Sequence, residues 1–182
     1  MGQSGCDFLE SRMYKLKREY DIDVTVVNGE NSAQGNGITP QSYRQLLNMG
    51  ADVVTTGNHS FRRREAEELY DTNEQLLRPA NYPEGVMGHG VTYIDMCPYK
   101  IAVVNLMGTM YMEAVENPFN YVDKLLESID TPNIIVDFHA EATSEKKAMG
   151  FYLQKRCTAV LGTHTHVQTA DETILGGHTA YI

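Results

Sequence analysis

Asp52-Val53-Val54-Thr55-Thr56-Gly57-Asn58-His59 is a short β-branched run that stops at a glycine and then presents an amide and an imidazole. β-Branched residues favour strands, and a Gly-Asn step marks where a strand ends. The same layout recurs three times. Val24-Thr25-Val26-Val27 ends in Asn28-Gly29-Glu30-Asn31, and Asn133-Ile134-Ile135-Val136 leads into Asp137-Phe138-His139. Thr158-Ala159-Val160-Leu161 ends in Gly162-Thr163-His164-Thr165-His166. In open α/β sheets ligands bind beyond the carboxyl ends of the strands. Residues remote in sequence are therefore expected to meet along one edge.

Helical patterns fill the spaces between these strands. Asp7 to Tyr20 carries Leu9, Met13, Leu16 and Tyr20 on one stripe, with Asp7 placed to cap it. Thr39-Pro40 reads as an N-cap followed by proline at the first helical position, and Gly50 stops that helix. Ser60 is placed to cap a charged helix through about Tyr70. Val91 to Ile94 and Ile101 to Val104 form a hairpin turned at Pro98. Asn117-Pro118 opens a helix to about Ile129, another runs from Ser144 to about Lys155, and His178 to Ile182 reads as an incoming strand. The alternation predicts a layered α/β fold, with a largely parallel, partly mixed central sheet flanked by helices. No repeat, low-complexity tract or linker interrupts residues 1–182, so they read as a single domain long enough for a sizeable core.

Composition excludes several function classes. Hydrophobic residues at 42% and charged residues at 21% argue against wholesale disorder. Twenty-four acidic against fifteen basic residues give a formal charge of −9. That surface repels a polyphosphate backbone, so neither a stable nucleic-acid complex nor anionic-membrane binding is expected. One small phosphorylated ligand held through a metal ion remains compatible, because the ion becomes the dominant local charge. No run approaches the roughly 18 apolar residues of a membrane span. The charged first twenty residues lack a signal-peptide core, so the expected compartment is the cytoplasm. Cys6, Cys97 and Cys157 are odd in number and far apart, a pattern of reduced thiols rather than a disulfide framework or zinc knuckle.

Taken singly, the polar groups at the strand ends say little. A lone histidine such as His139 is more often structural, Glu30 and Asn31 can be turn residues, and Asn58-His59-Ser60 also matches a glycosylation sequon. His164 and His166, two apart, can put both imidazoles on one side of an extended segment. Together the set is a metal signal. Mixed imidazole, carboxylate and amide oxygen suits iron, manganese or zinc better than calcium, and no nearby cysteine suggests structural zinc. Seven candidates exceed the needs of one tetrahedral ion, so two ions sharing a carboxylate is the economical reading. Two ions about 3.5–4 Å apart can clamp the attacking and leaving oxygens of a phosphoryl centre.

Gly57-Asn58-His59 and Gly162-Thr163-His164-Thr165-His166 resemble the GNH and GHxH blocks of calcineurin-like metallophosphoesterases. The text from Val27 to Ala33, Arg78-Pro79-Ala80-Asn81, and the stretch from Asp137 to Glu145 are similar to the YmdB-like branch. The resemblance covers nearly the whole chain. It implies the metallophosphoesterase fold and metal-dependent hydrolysis of 2′,3′-cyclic nucleotides or related small phosphodiesters. It also implies two divalent ions, iron or manganese with zinc possible, which lower the pKa of a bridging water. Glu30 would bridge them, Asn31 and His166 would serve the first, and Asn58, His139 and His164 the second. His59 would donate a proton to the leaving oxygen. Arg78 and Asn81 are candidates for contact with a phosphate or base, while His89 and His178 are assigned to surface or packing roles.

Relatives begin with a strand ending in Gly-Asp, whose Asp ligates the first metal, and continue beyond the last strand read here. Met1 to Gly5 resembles the turn that follows that Asp, so the pattern is short at both ends. The first metal is therefore expected to bind more weakly than the second. Unpaired strand edges would favour homo-oligomerisation. Two other readings stay open: a catalytically impaired module that holds a metal or nucleotide, and an amidohydrolase-like centre on His164-x-His166, for which the chain is short.

Overall fold

The computed structural model of the chain describes residues 2–182, which pack as two compact units. One unit runs up to Arg78 and includes Met87–His89; the other comprises Pro79–Val86 and Gly90–Ile182.

The first unit contains α1 (Gln3–Glu19), β1 (Val26–Asn28), α2 (Pro40–Asn48), β2 (Val53–Thr55), a 3-10 turn at Arg64–Ala66, α3 (Glu67–Thr72) and β3 (Leu76–Leu77). Its strands form a parallel sheet in the order β1-β2-β3. Thr39 caps α2 as its sequence predicts: Ser42 N–H donates to Thr39 Oγ1 at 3.2 Å, and Thr39 N–H donates to Ser42 Oγ at 2.9 Å. This reciprocal pair satisfies two donors that a helix start otherwise leaves open. Cys6, Met13, Ile38, Tyr43, Leu46, Val54, Tyr70 and Leu76 make the core.

Two helix starts differ from the sequence-based expectation. α1 begins at Gln3, with Gly2 as cap residue and no side-chain cap bond. Asp7 lies in the second turn and accepts from Gln3 Nε2 at 2.7 Å and Gln45 Nε2 at 3.2 Å. The earlier turn carries Cys6 into the core, where it is fully buried, whereas Tyr20 falls at the C-cap and is exposed. Ser60 caps no helix. Its hydroxyl donates to the Gly57 carbonyl at 2.6 Å and pairs with Thr56 Oγ1 at 2.7 Å, tying the loop after β2 to itself.

The second unit contains β4 (Val91–Asp95), β5 (Lys100–Met107), α4 (Pro118–Glu127), β6 (Ile134–His139), α5 (Thr143–Tyr152), β7 (Ala159–Thr163), β8 (Thr173–Leu175) and β9 (Thr179–Tyr181). The sheet order is β4-β5-β6-β7-β9-β8. β5, β6, β7 and β9 run parallel, and the two edge strands are antiparallel to their neighbours. Asn117 caps α4, its Oδ1 accepting from Phe119 N–H and Asn120 N–H at 3.0 and 3.2 Å. Interior parallel strands are buried on both faces and so read as continuous apolar runs. Ala102, Val104, Leu106, Val136 and Phe138 accordingly pack with Val122, Met149 and Leu153. Among the described residues no helix is long and apolar enough to cross a membrane.

Candidate metal centre

In the first unit, the loops leaving β1 and β2 run side by side because those strands are parallel neighbours. Gly29 N–H donates to the Thr55 carbonyl at 2.9 Å. A Cβ at position 29 would lie 2.6 Å from Leu46 Cδ1 and 2.7 Å from Val54 Cγ1, so glycine is required for the chain to pass there. This delivers Glu30, 1% exposed, to the end of the sheet. Its Oε1 accepts His59 N–H at 3.0 Å and its Oε2 accepts Asn31 Nδ2 at 3.1 Å. With Asn31 Nδ2 donating to Glu30, Asn31 Oδ1 is the acceptor facing His59 Nδ1 at 2.9 Å. That nitrogen therefore carries the hydrogen and leaves Nε2 for other work. Glu30, Asn31 and His59 are thus brought together, and half-buried Asn58 adjoins them in the β2 loop.

In the second unit, the register of β6 and β7 sets His139 directly opposite Thr163. Thr163 Oγ1 donates to Asp137 Oδ1 at 2.6 Å, and His139 Nδ1 lies 3.0 Å from the same hydroxyl. A hydroxyl has one proton; given to the carboxylate, it leaves a lone pair that accepts His139 Nδ1–H. His139 Nε2 then bears a lone pair, and it lies 3.1 Å from His164 Nδ1. On the far side of His164, Nε2 lies 2.9 Å from Glu141 Oε2. An ionised carboxylate only accepts, so that nitrogen is the donor, and the neutral ring places a second lone pair at Nδ1. The two ring nitrogens thus converge at hydrogen-bond distance, an arrangement that suits a shared metal ion. Carboxylate-type support behind a ligating histidine is the usual outer shell of such a centre. His139 is 1% exposed, and the two rings meet edge to face at 4.8 Å.

The His-x-His segment is not an extended strand. β7 ends at Thr163, and His164 and His166 adopt φ of +97° and +52°, left-handed conformations that non-glycine residues seldom take. Within this turn His164 contacts His139 and Glu141, while His166 is exposed. Local strain of this kind concentrates at functional sites. Between the two histidines, Thr165 Oγ1 accepts from Lys146 Nζ at 3.0 Å. Burial lowers the Lys146 ammonium from its ordinary pKa, while Glu141 and Asp171 act in the opposite direction.

Arg78 and Asn81 have backbone partners. Arg78 donates from Nε to the Met87 carbonyl and from Nη2 to that of Gly88, at 3.1 and 3.0 Å. Asn81, fully buried, donates to the Met107 and Glu116 carbonyls, each at 2.8 Å, and accepts Met107 N–H at 2.9 Å. His89 Nε2 meets the Glu74 carbonyl at 3.0 Å, and His178 is exposed. Asp137, Thr163 and Glu141 join the site without being among the candidates that the sequence pattern marks. Asp137 had a signal, lying two residues before His139 on the same strand face; Thr163 depends on a register that no local pattern reveals.

The first unit offers a buried carboxylate and amide oxygens, and the second a pair of converging imidazole nitrogens. These donor types suit iron, manganese or zinc. Residues 1–182 match the family described as YmdB-like protein. The chain is 45% identical over 184 residues to the 2′,3′-cyclic-nucleotide 2′-phosphodiesterase of Bacillus subtilis (strain 168), covering all of this chain and 70% of that protein. A hypothetical protein from Thermus thermophilus, solved by crystallography, matches at a TM-score of 0.94 and 38% identity, over all of this chain and 71% of its own. The crystal structure of a Mycoplasma pneumoniae protein described as a novel phosphatase matches at a TM-score of 0.95 and 32% identity, over all of this chain and 67% of its own. The match along the full chain, joined to the mixed α/β architecture, shows that this chain belongs to the YmdB-like family and has the calcineurin-like metallophosphoesterase fold.

Proposed function

We propose that the chain is a metal-dependent phosphodiesterase of small cyclic nucleotides of the 2′,3′ type, its 182 residues working as one domain with two divalent ions. Iron or manganese is the preferred metal, with zinc also suited to the donor set. The observation that carries this reading is the His139–His164 pair, whose ring nitrogens converge to 3.1 Å just beyond neighbouring parallel strands, a donor arrangement suited to a divalent metal ion. The name of the Bacillus relative supports the substrate class.

When bound, the ions would polarise the phosphoryl oxygens and activate water for attack at phosphorus. Glu30 is assigned to both ions, Asn31 and His166 to the first, and Asn58, His139 and His164 to the second. Asn31 Oδ1 has two lone pairs, so it can hold His59 Nδ1–H and still face a cation. Attack breaks one P–O bond of the cyclic phosphate, and the released ribose oxygen needs a proton. His59, as imidazolium, supplies it from Nε2, while Asn31 keeps the ring oriented through Nδ1.

The test is hydrolysis of 2′,3′-cyclic AMP by wild type and His59→Ala, alongside metal per chain by elemental mass spectrometry. Loss of a general acid should slow turnover about 10²–10⁴-fold with metal content unchanged. Wild-type turnover by His59→Ala would remove the proton-donor assignment. A homogeneous wild type loaded with metal yet yielding no product would remove the phosphodiesterase reading.

A further inference from the structure

We infer that Lys146 is a positioning residue that holds the His164-Thr165-His166 turn in its left-handed form. The inference rests on the metal-centre reading only for its consequence; the geometry stands by itself. Lys146 leaves α5 and is 9% exposed, an unusual setting for a lysine. Its stem crosses β7 at Gly162, where an added Cβ would fall 2.8 Å from Lys146 Cδ. The missing side chain at position 162 is thus the groove in which the lysine lies. At the far end its Nζ donates to Thr165 Oγ1 at 3.0 Å, midway between the two histidines with positive φ. Glu141, which holds His164 Nε2 at 2.9 Å, also acts electrostatically on the Lys146 ammonium. The lysine therefore braces the centre of the turn through Thr165.

Two left-handed non-glycine residues flanking a single threonine would relax if that brace were cut, because such conformations persist only where the surroundings over-determine them. Lys146 acts at a distance from the ring nitrogens. Its effect passes through Thr165 to the direction in which His164 and His166 present them.

The test compares Lys146→Met, which keeps the stem and removes the ammonium, with wild type by long-range ¹H–¹⁵N spectra of the imidazoles in metal-free protein. Thr165→Val, which removes the acceptor, and Gly162→Ala, which fills the groove, provide two further cuts of the same brace. The expected result is displaced or broadened His164 and His166 correlations in all folded variants, with His89 and His178 unchanged. The apparent dissociation constant for Mn²⁺ should also rise about 10–100-fold, the usual effect of losing an outer-shell partner. A lysine that served only stability would lower the melting temperature and leave the imidazole pattern intact; that result overturns the inference. If the pattern moves but wild type takes up no Mn²⁺, the brace stands and the metal reading fails.

Discussion

Replacing Thr163 by valine removes one hydroxyl from the centre of the second unit while keeping a β-branched side chain of nearly the same shape in β7. Two bonds go with it: the 2.6 Å donation to Asp137 and the 3.0 Å contact with His139 Nδ1. A hydrogen bond to a charged group contributes about 1.5–3 kcal/mol and a neutral one about 1 kcal/mol. Asp137 and His139 are 5% and 1% exposed, so water cannot readily replace the lost partner. The expected loss is about 2.5–4 kcal/mol, which for a chain of this length lowers Tm by roughly 5–15 °C. Scanning calorimetry of metal-free Thr163→Val measures this directly, and Thr163→Ser, which keeps the hydroxyl, should recover most of the loss. The same variant should bind Mn²⁺ about 10–100-fold more weakly, because His139 Nδ1–H loses the acceptor that fixes its tautomer. A valine variant melting within about 1 °C of wild type would refute the relay, since the bonds would then be worth less than a single neutral hydrogen bond.

Asn81→Ala deletes three bonds to backbone at a fully buried position and should cost about 2–4 kcal/mol in urea unfolding; an unchanged midpoint would remove its scaffold role. Cys157 carries a thiol whose pKa burial pushes from 9.0 to about 11. Across that window the unfolded chain has released the proton and the folded chain has not. Stability should therefore fall as pH rises from 9 to 11 and show no such contribution below 9, and Cys157→Ala should flatten that part of the slope. Burial also raises Cys6, whereas Cys97 is exposed at the hairpin turn, so a thiol reagent near neutral pH should label Cys97 alone in the native chain.

Much of this was readable along the chain because the signals were local. Thr39-Pro40 and Asn117-Pro118 begin helices through side-chain oxygens that reach the next turn, and both do so in the structure. The hairpin between β4 and β5 follows from two runs rich in strand-favouring residues with a turn at Pro98 between them. Features that depend on partners elsewhere were hidden. α1 starts before Asp7 because Cys6 is buried, a tertiary demand that outweighs the capping preference of an aspartate. Ser60 has a capping residue's identity but directs its hydroxyl to Gly57 and Thr56. β3 and β8, two and three residues long, are too short for any period to show. At the candidate centre the residue types were apparent from sequence, but the turn at His164 and the hydroxyl behind His139 were not, since both arise from chain meeting chain.

The pairing of His139 with Thr163 has a consequence for how the protein matures. Side chains alternate along a strand, so a one-residue slip of β7 against β6 would put Gly162 or His164 where the hydroxyl belongs. A slipped sheet could keep a full ladder of backbone bonds, yet it would present His139 with the wrong face of its neighbour. With a cation held at the proposed centre, only correctly aligned molecules would gain its binding energy, and metal available during folding would draw the population toward the aligned form.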